Sequence, residues 1–136
     1  MNKKYEFTGE TLEVNGITLN QIKAIRSFGN VKKGDVGGYI EKESNLSHSG
    51  NCWVFGDGWV FGNAKVSGNA KISGDAWISE NAKVFEYAEI FENAWISGNA
   101  KISGDALIFG NAWISQGVIT NNKEELIEKV NELEDE

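Results

Sequence analysis

Residues 62–79 read GNAKVSGNAKISGDAWIS, which is one hexapeptide pattern repeated three times. Each hexapeptide has glycine, then Asn or Asp, alanine, a variable residue, valine or isoleucine, and serine. The spacing continues in both directions, because every sixth residue from Val54 to Ile114 is valine or isoleucine. A fixed period of six is typical of a parallel β-helix, whose short strands bury one apolar side chain against the next coil. The sequence therefore predicts an all-β solenoid.

A second period of eighteen residues runs through the same region. It relates two sets of outward residues: Trp59, Trp77, Trp95 and Trp113, and Lys65, Lys83 and Lys101. Three hexapeptides therefore make one coil, and we expect a three-sided parallel β-helix of about four coils over residues 44–120. Because side chains alternate along a strand, the third and fifth places of each hexapeptide point inward and the fourth points outward.

The two ends of the chain depart from the repeat. Residues 1–43 alternate as strands do and contain the hairpin signal Asn15-Gly16, so we expect an N-terminal β cap there. Residues 121–136 predict a C-terminal amphipathic α-helix that either plugs the end of the β-helix or packs on another subunit. Its apolar face would consist of Leu126, Ile127, Val130 and Leu133.

Composition and charge narrow the class of protein. The net charge of the 136 residues is −7, and residues 120–136 alone carry seven acidic against two basic side chains. This balance argues against a nucleic-acid partner, which usually selects a basic face. The sequence has one cysteine, a polar start and no run of eighteen apolar residues, so we expect a cytoplasmic protein without membrane contact.

The pattern (Val/Ile)-x-Gly-(Asn/Asp)-Ala-x resembles the hexapeptide repeat of left-handed parallel β-helix proteins, a superfamily that includes acyltransferases and γ-class carbonic anhydrases. The resemblance implies the left hand of the helix. The segment that leads into the repeat, residues 24–56, reads AIRSFGNVKKGDVGGYIEKESNLSHSGNCWVFG. It is similar to a group of phage and prophage hexapeptide proteins often labelled acyltransferases. That similarity implies a phage-related protein in the bacterial cytoplasm.

The candidates for catalysis are few. A carbonic anhydrase needs several histidine ligands for its metal, and the chain has only His48. Acyl transfer generally needs a base, but we expect His48, at the fifth place of an imperfect hexapeptide, to cap the first coil. Cys52 occupies an inward place and is expected to be a buried, inert thiol. We therefore expect no catalytic residue, metal or cofactor, with an acyltransferase-like site between subunits as an alternative.

The outward tryptophans form the candidate site, which we name the tryptophan column. The column consists of Trp59, Trp77, Trp95 and Trp113, flanked in the sixth place by Phe61, Ser79, Ser97 and Ser115. Four aligned indoles make an apolar patch as large as a monomer normally exposes. It could be a stability ladder, or residues 1–43 could cover it. We favour an interface with a host protein, with a second copy in a homodimer or trimer, or with both.

The other outward columns carry weaker signals. Lys65, Lys83 and Lys101 would form a solvated face or one that meets an anionic group. A third face would begin with Trp53, followed by Lys71, Glu89 and Leu107. At three successive corners glycine is replaced, by Glu80, Glu86 and Glu92, which would form a solvated acidic belt.

The preferred interpretation is a non-catalytic protein-binding module, encoded by a phage, that presents the tryptophan column to a host protein. In its most concrete version the protein inhibits a component of host defence. The first alternative is a self-associating structural scaffold, and the second is the acyltransferase-like enzyme.

Overall fold

A computed structural model of the chain describes residues 3–120, so the helix expected over residues 121–136 lies outside the described residues. The chain begins with three strands, β1 (Tyr5–Val14), β2 (Ile17–Ala24) and β3 (Val36–Ile40), and a 3-10 turn at Glu43–Asn45. Twelve two-residue strands follow: β4 (Trp53–Val54), β5 (Trp59–Val60), β6 (Lys65–Val66), β7 (Lys71–Ile72), β8 (Trp77–Ile78), β9 (Lys83–Val84), β10 (Glu89–Ile90), β11 (Trp95–Ile96), β12 (Lys101–Ile102), β13 (Leu107–Ile108), β14 (Trp113–Ile114) and β15 (Val118–Ile119).

The short strands form an all-β parallel solenoid of about four turns, as the repeat predicts. They pair in three parallel ladders, β5-β8-β11-β14, β4-β7-β10-β13 and β6-β9-β12-β15. In nearly every pair the partners lie eighteen residues apart, as Val60 and Ile78 do. Backbone hydrogen bonds join successive coils, for example from the Trp77 N–H to the Ala94 carbonyl at 3.0 Å.

The interior of the solenoid is narrow and apolar. The valines and isoleucines of the fifth place and the alanines of the third place are at most 2% exposed. Most corners between strands are glycines in the left-handed backbone region, such as Gly68 with φ of 64°. Close stacking adds a second reason for glycine, because a Cβ on Gly68 would lie 2.7 Å from the backbone nitrogen of Glu86.

The N-terminal strands continue one of these ladders. β1 and β2 form an antiparallel hairpin, β3 is antiparallel to β2, and β3 then pairs in parallel with β5, which aligns Tyr39 with Trp59. The inward apolar column therefore starts before the regular hexapeptides, at Ile40 and Leu46, both wholly buried. Leu46 pairs with Val66, so the expectation that His48 takes the fifth place is wrong. The apolar side chain takes the buried place, and the imidazole lies two residues further on.

Trp53 takes the outward place of the third face, in register with Lys71, but its side chain is only 1% exposed. The rings of Phe28 and Tyr5 pack edge-on against it, with centroids 5.3 Å and 6.2 Å away. Gly37 permits this contact, since a Cβ there would lie 2.8 Å from Cζ2 of Trp53. The N-terminal segment thus covers the first coil of this face.

Across residues 3–120, the fold contains no helix with the length and apolar character needed to cross a membrane.

Candidate functional site: the tryptophan column

The tryptophan column lies on the largest sheet, which has the order β1-β2-β3-β5-β8-β11-β14. Parallel pairing places Trp59, Trp77, Trp95 and Trp113 directly opposite one another on successive strands. Tyr39 precedes Trp59 in the same row. The eighteen-residue period missed this tyrosine because it lies twenty residues before Trp59. The local similarity of Gly38-Tyr39-Ile40 to Gly58-Trp59-Val60 is the signal that could have identified it.

The four indoles are arranged as two stacked pairs. The rings of Trp59 and Trp77 are parallel, 4.8 Å apart and 2° from coplanar, and those of Trp95 and Trp113 are 5.0 Å apart and 9° from coplanar. Between the pairs, Trp77 and Trp95 meet at 76° with centroids 5.6 Å apart. Edge-to-face and offset-stacked contacts are both favourable aromatic geometries. The column is therefore a packed row with one change of ring orientation.

The flanking serines account for part of this arrangement. The Trp95 Nε1–H donates to Oγ of Ser79 at 3.4 Å, and the Trp113 Nε1–H donates to Oγ of Ser97 at 3.3 Å. Each indole thus bonds the hydroxyl sixteen residues earlier in the chain. At the corresponding position for Trp77 the residue is Phe61, which has no hydroxyl. The change of ring orientation falls where the serine acceptors begin.

Exposure of the column increases away from the N-terminal strands. Trp59 and Trp77 are half-buried, whereas Trp95 is 36% and Trp113 is 48% exposed. β1–β3 lie at the opposite end of this sheet from β14, which carries Trp113. Residues 3–43 therefore extend the sheet of the column and do not fold back over its exposed tryptophans.

Acidic and amide side chains border the column on one side. The second place of each hexapeptide on this sheet holds Asp57, Asp75, Asn93 or Asn111, all exposed. A depression of about 210 Å³ lies where the ring orientation changes. It is lined by Asp75, Trp77, Asn93, Ala94 and Trp95. Its walls are two indoles and a carboxylate, which together suit a cationic group.

The three glutamates of the acidic belt make hydrogen bonds to the backbone of the next coil. Glu80, Glu86 and Glu92 adopt the left-handed backbone, with φ of 58°, 60° and 60°. Each carboxylate accepts a hydrogen bond from the N–H of a glycine eighteen residues on, at 2.7 Å for Gly98 and 2.8 Å for Gly104 and Gly110. These glutamates therefore join two successive coils at their corners.

His48 is held in place at both ring nitrogens. The backbone N–H of Lys4 donates to Nδ1 at 3.1 Å, and Nε2 lies 2.8 Å from a carboxylate oxygen of Glu43. The ring also stacks on Tyr5, with centroids 4.0 Å apart. In this arrangement neither nitrogen is free to take a proton from a substrate, so the contacts of His48 are those of a capping residue.

Cys52 is buried beside an unusual partner, the buried ammonium of Lys4. The Lys4 Nζ donates to the Cys52 carbonyl at 2.7 Å and lies 3.3 Å from Sγ and 4.6 Å from the centroid of the Phe28 ring. Burial raises the pKa of the thiol, although the ammonium opposes this effect, and burial lowers the pKa of Lys4.

Over the described part of the chain, no three His, Cys, Asp or Glu side chains gather as metal ligands would.

The fold and the repeat together define the class of protein as a hexapeptide-repeat parallel β-helix. The chain is 44% identical over 39 residues to the uncharacterized acetyltransferase YdcK of Escherichia coli strain K12. The match covers 29% of this chain and spans only 12% of that protein. No family model matches the chain.

Proposed function

We propose that the protein is a non-catalytic binding module that presents the tryptophan column to a partner protein. The observation that carries this proposal is the exposure of Trp95 and Trp113, at 36% and 48%, in a continuous aromatic row. Tryptophan is among the residues most enriched in the energetic centres of protein interfaces. A contiguous exposed aromatic patch of this kind often marks a site of protein–protein interaction.

The rigidity of the fold supports this role. We take the three ladders to be the three flat faces of a left-handed β-helix, as the resemblance implies. The strands of Trp59, Trp77 and Trp95 are paired on both sides, and Ser79 and Ser97 accept hydrogen bonds from the rings of Trp95 and Trp113. A surface that is already ordered loses little conformational entropy when a partner binds.

The charge beside the column favours a basic partner surface. Asp57 and Asp75 border the indoles, and the chain carries a net charge of −7. The depression between Trp77, Trp95 and Asp75 is of a size and chemistry that suit a guanidinium or an alkylammonium group. An arginine or lysine side chain of the partner would occupy it.

The similarity of residues 24–56 to phage hexapeptide proteins supplies a setting for this module. The proposal places the protein in the bacterial cytoplasm, encoded by a phage, with a host protein as its partner. In the most specific version of this proposal, the protein binds a component of host defence and inhibits it.

The test compares binding partners of two variants of the full chain. Trp95→Glu with Trp113→Glu places charge on the column, and Lys71→Glu alters a different sheet. We expect a host protein that binds the wild type and the Lys71→Glu variant alike but binds the tryptophan variant at least a hundredfold more weakly. Proteins that bind all three chains equally, with all three folded by circular dichroism, would overturn the proposal.

Light scattering separates a foreign partner from a second copy of the chain. A wild-type mass that is a multiple of 15.0 kDa and falls to 15.0 kDa in the tryptophan variant would make the column a contact between copies. It would favour the structural scaffold over the binding of a host protein.

An acyltransferase-like enzyme with a site between subunits is the second candidate, and the match to an acetyltransferase favours it. Both nitrogens of His48 are engaged, so the catalytic base would have to be another side chain. Calorimetric titration with acetyl-coenzyme A tests this candidate, because the binding module predicts no heat of binding.

A further inference from the structure

A second surface of the solenoid with an unusual arrangement of side chains lies on the sheet β6-β9-β12-β15. Two parallel rows of side chains line a groove of about 600 Å³ there. One row comes from the second place of the hexapeptides and the other from the fourth place: Asn63, Asn81 and Asn99, and Lys65, Lys83 and Lys101. We name this surface the lysine–asparagine groove. At one end, a further cation approaches, since the Lys42 Nζ donates to Oδ1 of Asn63 at 3.2 Å.

The charges of the three stacked lysines are not neutralised within the described chain. Lys65, Lys83 and Lys101 are exposed, and within residues 3–120 no carboxylate lies within 4.0 Å of their ammonium groups. The nearest corners on either side of Lys83 carry Glu80 and Glu86. Their carboxylates bond the N–H groups of Gly98 and Gly104 instead. The acidic side chains nearest the groove therefore bind backbone N–H groups and not the lysines.

If selection acted only on stability, residues of opposite charge would be expected next to each other on adjacent strands. A neighbouring sheet has this arrangement. There Lys71 lies directly opposite Glu89 on the next strand, so unlike charges are neighbours in the ladder. In the groove, by contrast, Lys65 and Lys101 lie opposite Lys83. Like charges in this position destabilise a sheet. A chain that departs from a local stability rule usually does so at a functional site.

The spacing of the lysines indicates the kind of anion. Strands in a sheet lie about 4.8 Å apart, so the three lysines repeat at that distance along the axis. The carboxylates on one face of an extended peptide repeat at about 6.8 Å and fall out of step with this spacing. Phosphates joined by bridging oxygens lie closer together, and each phosphate offers several acceptor oxygens to adjacent ammonium and amide donors.

We propose that the lysine–asparagine groove binds a ligand with two or three linked phosphate groups. The lysines neutralise the charge of the ligand, and the side-chain amides of Asn63, Asn81 and Asn99 donate to its oxygens. The site lies on a different sheet from the tryptophan column, so the inference does not depend on the proposed function.

The test is calorimetric titration of the full chain with inorganic tripolyphosphate and, separately, with adenosine triphosphate, both at low salt. We expect Lys83→Gln to weaken binding of tripolyphosphate at least tenfold. Lys71→Gln removes the same charge from another sheet and should change binding less than twofold. Equal binding of the two probes identifies the linked phosphates as the recognised group, and tighter binding of adenosine triphosphate identifies a nucleotide.

A second readout distinguishes loss of a site from loss of the fold. Because Lys83→Gln removes two like-charge contacts, its melting temperature without ligand should equal or exceed that of the wild type. Asn81→Asp places a negative charge in the groove and should abolish binding, whereas Asn111→Asp, on the sheet of the tryptophan column, should not.

Three results would overturn the proposal. The first is the absence of binding heat with either probe, and the second is an equal loss of binding in Lys83→Gln and Lys71→Gln. The third is tighter binding of a glutamate-rich peptide or of an RNA oligomer than of tripolyphosphate, because either would identify a different kind of ligand.

Discussion

The carboxylate of Glu86 accepts a hydrogen bond of 2.8 Å from the backbone N–H of Gly104, one coil further along the solenoid. Glu86 reaches it from a left-handed backbone, with φ of 60°. Such a conformation costs a residue with a side chain on the order of 1 kcal/mol or more. A charge-assisted hydrogen bond to a backbone N–H offsets that cost. The glutamates at these corners are therefore structural residues.

We expect Glu86→Ala to lower the free energy of unfolding by about 1–2 kcal/mol, because alanine keeps the backbone strain and loses the hydrogen bond. Glu86→Gly also loses the bond but removes the strain, so it should cost less. Urea denaturation of the two variants measures the difference. Equal costs would show that the bond, and not the strain, decides the stability of this corner.

The hydrogen bond from Trp113 Nε1 to Ser97 Oγ should orient an exposed ring more than it stabilises the fold. We expect Ser97→Ala to lower the free energy of unfolding by no more than about 1 kcal/mol, since Ser97 is buried but the Trp113 ring is 48% exposed and its N–H can bond to water instead. The near-ultraviolet circular dichroism of the tryptophans should nevertheless change. Ser73→Ala, on another sheet, is the matched control and should leave that spectrum unaltered. An unchanged spectrum in both variants would contradict an orienting role for Ser97.

Glu43 should make stability depend on pH in acid. The hydrogen bond with His48, assisted by Lys3, holds the pKa of Glu43 below its ordinary value of 4.5. The folded state thus binds this proton less readily than the unfolded state. The stabilisation is present in full above pH 4.5 and is lost as the pH falls through the lower, folded pKa.

The Glu43 side chain is 49% exposed, so the effect should be no more than a few tenths of a kcal/mol. Glu43→Gln should flatten the dependence of unfolding free energy on pH below 4.5. Glu10→Gln, which removes an exposed carboxylate from β1, is the control variant. Identical acid curves for wild type and Glu43→Gln would argue against the contribution of the His48 contact.

Cys52 should resist thiol reagents in the folded protein, because it is wholly buried and burial raises its pKa. An aromatic disulfide reagent should label it only after denaturant is added. Lys4→Ala removes the side chain that lies against the sulfur and should make labelling measurable without denaturant. Rapid labelling of the folded wild type would show that the N-terminal segment opens readily.

The sequence predicted the solenoid well because its main signal is a period. Val54 to Ile114 specify both the inward residues and the eighteen-residue pairing, and the structure places them in parallel ladders with wholly buried side chains. The alignment of Trp59, Trp77, Trp95 and Trp113 follows from the same period. Residues that obey a strict repeat can be placed from spacing alone.

The sequence predicted less where the repeat is broken. Two extra residues between Leu46 and Val54 moved His48 away from the inward place, which the six-residue count had assigned to it. Packing by Phe28 and Tyr5 buried Trp53, and such contacts between distant segments leave no periodic signal. The carboxylate contacts of Glu80, Glu86 and Glu92 were missed for a different reason. Glutamate at a corner reads as a solvent-exposed residue unless the corner of the next coil is considered.

The glutamate corners also bear on how the molecule would respond to force. A rod of stacked coils that is pulled along its axis should give way coil by coil, each release freeing about 60 Å of chain at some 3.4 Å per residue. Glu80, Glu86 and Glu92 add three charge-assisted clamps between one pair of adjacent coils. Under load, that junction should be among the last to rupture, so the other coils would extend in steps before the two joined coils separate.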